Sequence, residues 1–255
     1  MTNKEILDIA MCQSAIDINA QASDFTKDEN VIVKAVIGPL ARKYYKEPIA
    51  CNFVSYGSNI VASVKDEYRD IVEEYLRKFE FYHCFETPNM HWLDERMKTY
   101  GYRVCFMAEY FLPDLNVLKR IESKYQLKVL AHEDFNVLYL PEWSNALCSD
   151  RKELDVLGVG AFDSDKLIGL AACSADCDDM WQIGVDVLPE YRRQGIASSL
   201  TSNLAVEIIN KGKVPFYCCA WSNIKSVKNA LRSGFMPAWV EMTVKPAGMV
   251  EEMNQ

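Results

Sequence analysis

Trp181–Leu204 reads WQIGVDVLPEYRRQGIASSLTSNL: an apolar strand, a basic glycine turn and a helix, in that order. Ile183, Val185 and Val187 alternate through the strand, and Pro189 stops it. Arg192-Arg193-Gln194-Gly195-Ile196-Ala197 then leads into a run with Ala197, Leu200, Leu204 and Ile208 at helical spacing. This arrangement suits an anion. The first N–H groups of a helix have no intrahelical partner, the helix dipole favours negative charge there, and Gly195 has no Cβ to hold a phosphate off the backbone. Arg192 and Arg193 add positive charge in a chain whose net charge is −8.

Further along, Val214 to Trp221 reads as another strand, followed by Asn223, Ser226, Ala230, Gly234 and Phe235. The turn resembles the pyrophosphate-binding signature [QR]-x-x-G-x-[GA] of the GNAT superfamily of acyl-CoA-dependent N-acyltransferases. The second stretch resembles that family's N-x-x-[AS]-x-x-x-[YA]-x-x-x-G-F motif. The resemblance covers about residues 126–245. It implies a mixed α/β fold with a mostly antiparallel sheet flanked by helices, and acetyl-CoA as the co-substrate. By the same resemblance the central strand splays from its neighbour, and the exposed backbone of Val185 and Val187 holds the pantetheine arm as an added strand would. Arg192, Arg193, Gln194, Gly195, Ile196, Ala197 and Ser198 then surround the pyrophosphate, with Asn223 and Ser226 near the pantetheine or thioester end. An N-cap role for Asn223 can coexist with that one.

Acyl transfer to an amine needs a group to take the amine's proton and another to protonate the departing thiolate. Many relatives carry a tyrosine where this chain has Ala230, and Trp181 and Gln182 stand where several place a glutamate. The remaining candidates are Tyr217 and Cys219, which share one face of their strand, Asp186 between the two valines, and Glu109 in Ala108-Glu109-Tyr110-Phe111. The three histidines, His83, His91 and His132, lie outside the motif region.

With 255 residues the chain is long for one such domain, so a second part is expected. Alternating strands and helices upstream predict an additional N-terminal α/β subdomain over 1–125, with the acetyltransferase domain over 126–255. Strands are expected at Val31–Val36, Cys51–Tyr56, Ile60–Val64, His83–Phe85 and Arg103–Phe111, and helices at Glu67–Phe79 and Met90–Tyr100. The 49% hydrophobic content suits a globular core. No apolar run reaches the length of about 20 residues that spans a bilayer, and the polar start MTNKEILDIA has no signal-peptide pattern, so a cytoplasmic protein is expected. Nine cysteines, mostly inside apolar strands, read as reduced thiols. Cys173 and Cys177 lack a second pair to complete a metal site, and no metal is expected. Acidity argues against nucleic acid as a partner and suits a small-molecule amine; homodimerisation stays open. The reading is an N-acetyltransferase that uses acetyl-CoA, with a non-catalytic acyl-CoA-binding module or sensor as the alternative.

Overall fold

The computed structural model describes residues 1–254. Along the chain run α1 (Asn3–Ile18), β1 (Val31–Lys34), β2 (Cys51–Ser55), β3 (Val61–Val64), α2 (Arg69–Lys78), α3 (Thr87–Lys98) and β4 (Tyr102–Pro113). Then follow β5 (Gln126–Ala131), β6 (Asp155–Asp163), β7 (Lys166–Ser174), β8 (Met180–Val187), α4 (Ile196–Asn210), β9 (Val214–Cys219), α5 (Ile224–Arg232), β10 (Phe235–Pro246) and α6 (Ala247–Met253). Two compact units divide the chain: one holds 1–9 and 111–237, the other 10–110 and 238–255. Both are mixed α/β, with sheets that are mostly antiparallel and flanked by helices.

In the unit built on 111–237, β5, β6, β7 and β8 pair antiparallel in sequence order, and β8 pairs parallel with β9. Period-two alternation gives this sheet two apolar faces. Leu157, Val159, Ala171, Cys173, Ile183 and Tyr217 pack under α4 and α5 through Leu200, Leu204, Ile208 and Ala230. Leu170 and Ala172, on the opposite face, meet Phe135, Trp143, Ala146 and Leu147 from the irregular segment between β5 and β6. That segment consists of short 3-10 turns at His132–Val137, Pro141–Trp143 and Ser149–Leu154. Pro141 has no N–H to continue a helix, which limits the run.

In the other unit β1 pairs parallel with β3, β3 antiparallel with β2, and β2 antiparallel with β10. Cys51, Phe53, Ala62, Val64, Met242 and Val244 face Val72, Tyr75, Leu76, Leu93 and Met97 of α2 and α3. The stretch His83–Phe85, expected as a strand, lies in a 3-10 turn, Phe81–Phe85. Tyr75 Oη donates to the Cys84 carbonyl at 2.5 Å, and that buried bond holds the turn against α2.

The second face of this sheet is polar and still buried. Asp17 of α1 accepts from the Arg42 N–H at 2.8 Å and from Arg42 Nη1 at 2.6 Å. Glu241 of β10 lies 4.0 Å from the same guanidinium and accepts from Trp239 Nε1 at 2.8 Å and Tyr110 Oη at 3.3 Å. Arg42 is fully buried, and these carboxylates offset the cost of holding its charge there. Among the described residues, no helix is long and apolar enough to cross a membrane.

Candidate functional site

The parallel ladder between β8 and β9 is short. Its register runs Met180↔Val214, Trp181↔Pro215, Gln182↔Phe216 and then stops, although β8 continues to Val187 and β9 to Cys219. Two backbone bonds fix which groups face the gap. The Val214 N–H donates to the Asp179 carbonyl at 2.8 Å, and the Leu188 N–H donates to the Ile168 carbonyl at 3.0 Å. Odd-numbered residues of β8 therefore direct N–H and C=O toward β9, and even-numbered ones toward β7. Beyond Gln182 the odd-numbered set, Val185 and Val187 included, opens onto the splay. Arg192 Nε donates to the Val187 carbonyl at 2.9 Å, which leaves the Val185 groups and the Val187 N–H on the open edge.

At the far end of this edge the chain turns through Pro189–Tyr191 into α4. Gly195 is its N-cap, at φ 79°, and no side chain caps the helix, so the N–H groups of Ile196, Ala197 and Ser198 have no intrahelical acceptor. Arg193 is also left-handed, at φ 62°, a conformation that costs a non-glycine residue about 1 kcal/mol and that the surroundings must enforce. The braces are visible. Glu190 pairs with Lys166 at 2.9 Å, Tyr191 Oη donates to Asp163 at 3.0 Å, and Tyr125 Oη donates to Gln194 Oε1 at 3.0 Å.

A cleft of about 150 Å³ opens at this turn, lined by Val187, Tyr191, Arg192, Arg193 and residues 195–198, and from α5 by Lys225, Asn229 and Arg232. Asn229 latches the two helices together: its Oδ1 accepts from Ser198 Oγ at 3.1 Å and its Nδ2 donates to Thr201 Oγ1 at 3.0 Å. The three α5 residues escaped the sequence reading, although their i, i+4, i+7 spacing puts them on one helix face. A larger groove of about 360 Å³ lies between α3, β4 and α6 in the other unit. Its Arg103 is already gripped by both oxygens of Asp94, at 3.0 and 2.5 Å, so the smaller cleft is the better anion receptor.

Asn223 caps α5, its Oδ1 accepting from the Ser226 N–H at 3.3 Å. Tyr217 is buried on the helix-covered face, with Cys219 packed at the edge of the same cluster, and its Oη donates to Ser226 Oγ at 3.3 Å. Burial pushes the Tyr217 phenol above its ordinary value, opposed by hydrogen bonds with Ser226 and Asn229. Cys218 points to the other face, where Gln182 Nε2 reaches its sulfur at 3.2 Å. Asp186 is on that face too, and both of its oxygens are engaged. Oδ2 accepts from the N–H groups of Asn145 and Ala146 at 2.8 and 2.9 Å, and Oδ1 from Asn145 Nδ2 at 2.7 Å. Glu109 is half-buried in β4, within the unit made of 10–110 and 238–255.

The site thus offers an unpaired strand edge for an extended, amide-bearing chain and, next to it, a basic cradle of backbone N–H groups for phosphates. Those two features fit the pantetheine and pyrophosphate of a CoA ester. Solved structures to which the chain is similar include a GCN5-related N-acetyltransferase-like protein from Streptococcus suis (18% identity, TM-score 0.46, covering 60% of this chain and 67% of that one). Another is a GCN5-related N-acetyltransferase from Kribbella flavida (14%, TM-score 0.49, 65% and 66%). A third is the aminoglycoside N-acetyltransferase AAC(6')-Iy in complex with CoA (21%, TM-score 0.36, 48% and 93%). No curated protein sequence matches the chain. The sequence model described as GNAT acetyltransferase matches residues 55–238, well over half of the chain and with both motifs inside it, and the protein belongs to that family.

Proposed function

We propose that the protein is an N-acetyltransferase that moves the acetyl group of acetyl-CoA to a primary amine of a small molecule. The observation that carries this reading is the ladder that ends at Gln182 and Phe216 beside the basic turn at Gly195. Acetyl-CoA supplies an activated thioester and a thiolate that leaves readily. The chain's own part is to bind and orient: Val185 and Val187 along the arm, and Arg192, Arg193 and the N–H groups of residues 196–198 around the phosphates.

For the proton, the reading favours Tyr217. Its phenol is buried, keeps its proton at neutral pH, and sits 3.3 Å from Ser226 on the helix that Asn223 caps. Ala230, fully buried in the same cluster, leaves the family's usual tyrosine position without a donor. That observation also favours a second reading, an acyl-CoA-binding sensor without turnover. The negative charge of the chain supports a cationic acceptor under the first reading. Titration calorimetry with acetyl-CoA, followed by a thiol-release assay over a panel of amines, separates the two. Binding with amine-dependent release supports the enzyme, binding without release on any amine supports the sensor, and absence of binding overturns both.

A further inference from the structure

Four cations line the cleft at the glycine turn: Arg192, Arg193, Lys225 and Arg232. No carboxylate is among the lining residues, and among the described residues none of the four has a salt bridge, in a chain with 36 acidic and 28 basic side chains. Cations gathered at one place repel each other, and although the Glu190 carboxylate acts on Arg192, no salt bridge neutralises the four, so the cleft favours an anion.

The four fall into two pairs. Arg192 and Arg193 belong to the turn, next to the N-terminus of α4. Lys225 and Arg232 are seven residues apart on α5, which puts them on one face about 10 Å apart along the helix axis, with Asn229 between them tied to α4. Lys225 also stands in the first turn of α5, where the helix dipole disfavours a positive charge. Among the described residues no salt bridge and no acidic residue in that turn offsets the placement; an anion on the cleft side would.

Coenzyme A carries two kinds of phosphate. The pyrophosphate contributes about two negative charges, and the 3′-phosphate monoester about 1.5 to 2 more near neutral pH. Building on the acyl-CoA reading above, we infer that the Lys225–Arg232 face of α5 is the subsite for the 3′-phosphate, and that the protein thereby selects 3′-phosphorylated CoA over dephospho-CoA. Arg192, Arg193 and the helix N–H groups take the pyrophosphate, and the α5 pair takes the third phosphate from the opposite wall. Donor selection by this route is independent of the acyl group, since it acts at the nucleotide end.

The test is calorimetric titration with CoA and with dephospho-CoA, on the wild type and on a Lys225→Ala/Arg232→Ala double variant. Both side chains are exposed, so the variant folds as the wild type does. The expected result is a wild-type Kd for CoA at least about tenfold below that for dephospho-CoA. In the double variant the CoA value should rise to the dephospho-CoA value, which itself moves less than about twofold. Equal wild-type affinity for the two ligands would overturn the subsite while leaving the CoA site standing, and so would a double variant that weakens both ligands equally. No wild-type binding of either ligand would remove the CoA site and the subsite with it.

Discussion

Asp186 grips Asn145 twice, by its backbone N–H at 2.8 Å and its side-chain amide at 2.7 Å, across 41 residues of sequence. With Ala146 donating as well, the carboxylate ties the segment between β5 and β6 to the stretch of β8 that borders the splay. Gly184 makes this close approach feasible, because a Cβ there would lie 1.8 Å from the Asn145 carbonyl oxygen.

Gly184→Ala is therefore expected to destabilise the protein in the upper part of the roughly 1–3 kcal/mol range of overpacking. Asp186→Ala should cost about 1–2 kcal/mol, since it removes three hydrogen bonds and takes the acceptor from the N–H of buried Ala146, while the exposed Asn145 donors turn to water. Urea denaturation gives both values, and hydrogen exchange at Asn145 and Ala146 should accelerate in the Asp186 variant. Unchanged exchange at those two amides would show that the segment is held by its apolar contacts alone.

Gly195→Val should weaken CoA binding by about tenfold or more. The space around Gly195 is open, so the reason is conformational: valine at φ 79° is strained, and the turn must move away from the phosphate to relieve it. Calorimetry on the folded variant checks this, and an unaltered Kd would contradict the phosphate cradle.

Tyr217→Phe removes the phenol that donates to Ser226 and leaves the ring in the core. Under the enzyme reading kcat should fall by about 100-fold or more while the Kd of acetyl-CoA stays within about twofold. A kcat close to wild type would pass the proton-donor role elsewhere, with Cys219 on the same face next in line.

Burial pushes the Asp155 carboxyl from its ordinary 3.8 to about 6, against hydrogen bonds from the Cys148 N–H and Tyr139 Oη that lower it. Between those two values the folded chain holds a proton that the unfolded chain has released. The contribution of this group to stability is thus full below about pH 4, declines as pH rises through about 6, and is constant above. Asp155→Asn should gain stability relative to wild type between pH 4 and 7. Parallel stability curves across that window would place the carboxyl at its ordinary value.

Arg42→Met should destabilise by about 3–5 kcal/mol, because Asp17 would be left as a buried charge without its cation. A double variant, Arg42→Met with Asp17→Asn, should recover part of the loss, as measured by denaturant midpoint.

Much of this was legible in the sequence. The strand, turn and helix around Gly195 are determined by neighbours in the chain, so local pattern sufficed, and the face shared by Tyr217 and Cys219 follows from alternation alone. What escaped depends on distance along the chain. Asp17, Arg42 and Glu241 meet only through the fold, and nothing near Asp186 points to Asn145. His83–Phe85 reads as a strand because aromatic residues favour strands, whereas packing against Tyr75 turns it into a 3-10 coil. Lys225 and Arg232 were visible as a spacing, yet their meaning requires α4 on the other side of the cleft.

The pairing of β2 with β10 sets a schedule for the nascent chain. Cys51–Ser55 are wholly buried once Val240–Val244 lie beside them, but all of 111–237 is translated in between. At about 5–20 residues per second, β2 leaves the ribosome with one edge bare for roughly 10–40 s before its partner exists. A strand edge unpaired for that long is an invitation to chaperones, and expression yield should depend on their supply more than the stability of the finished protein would suggest.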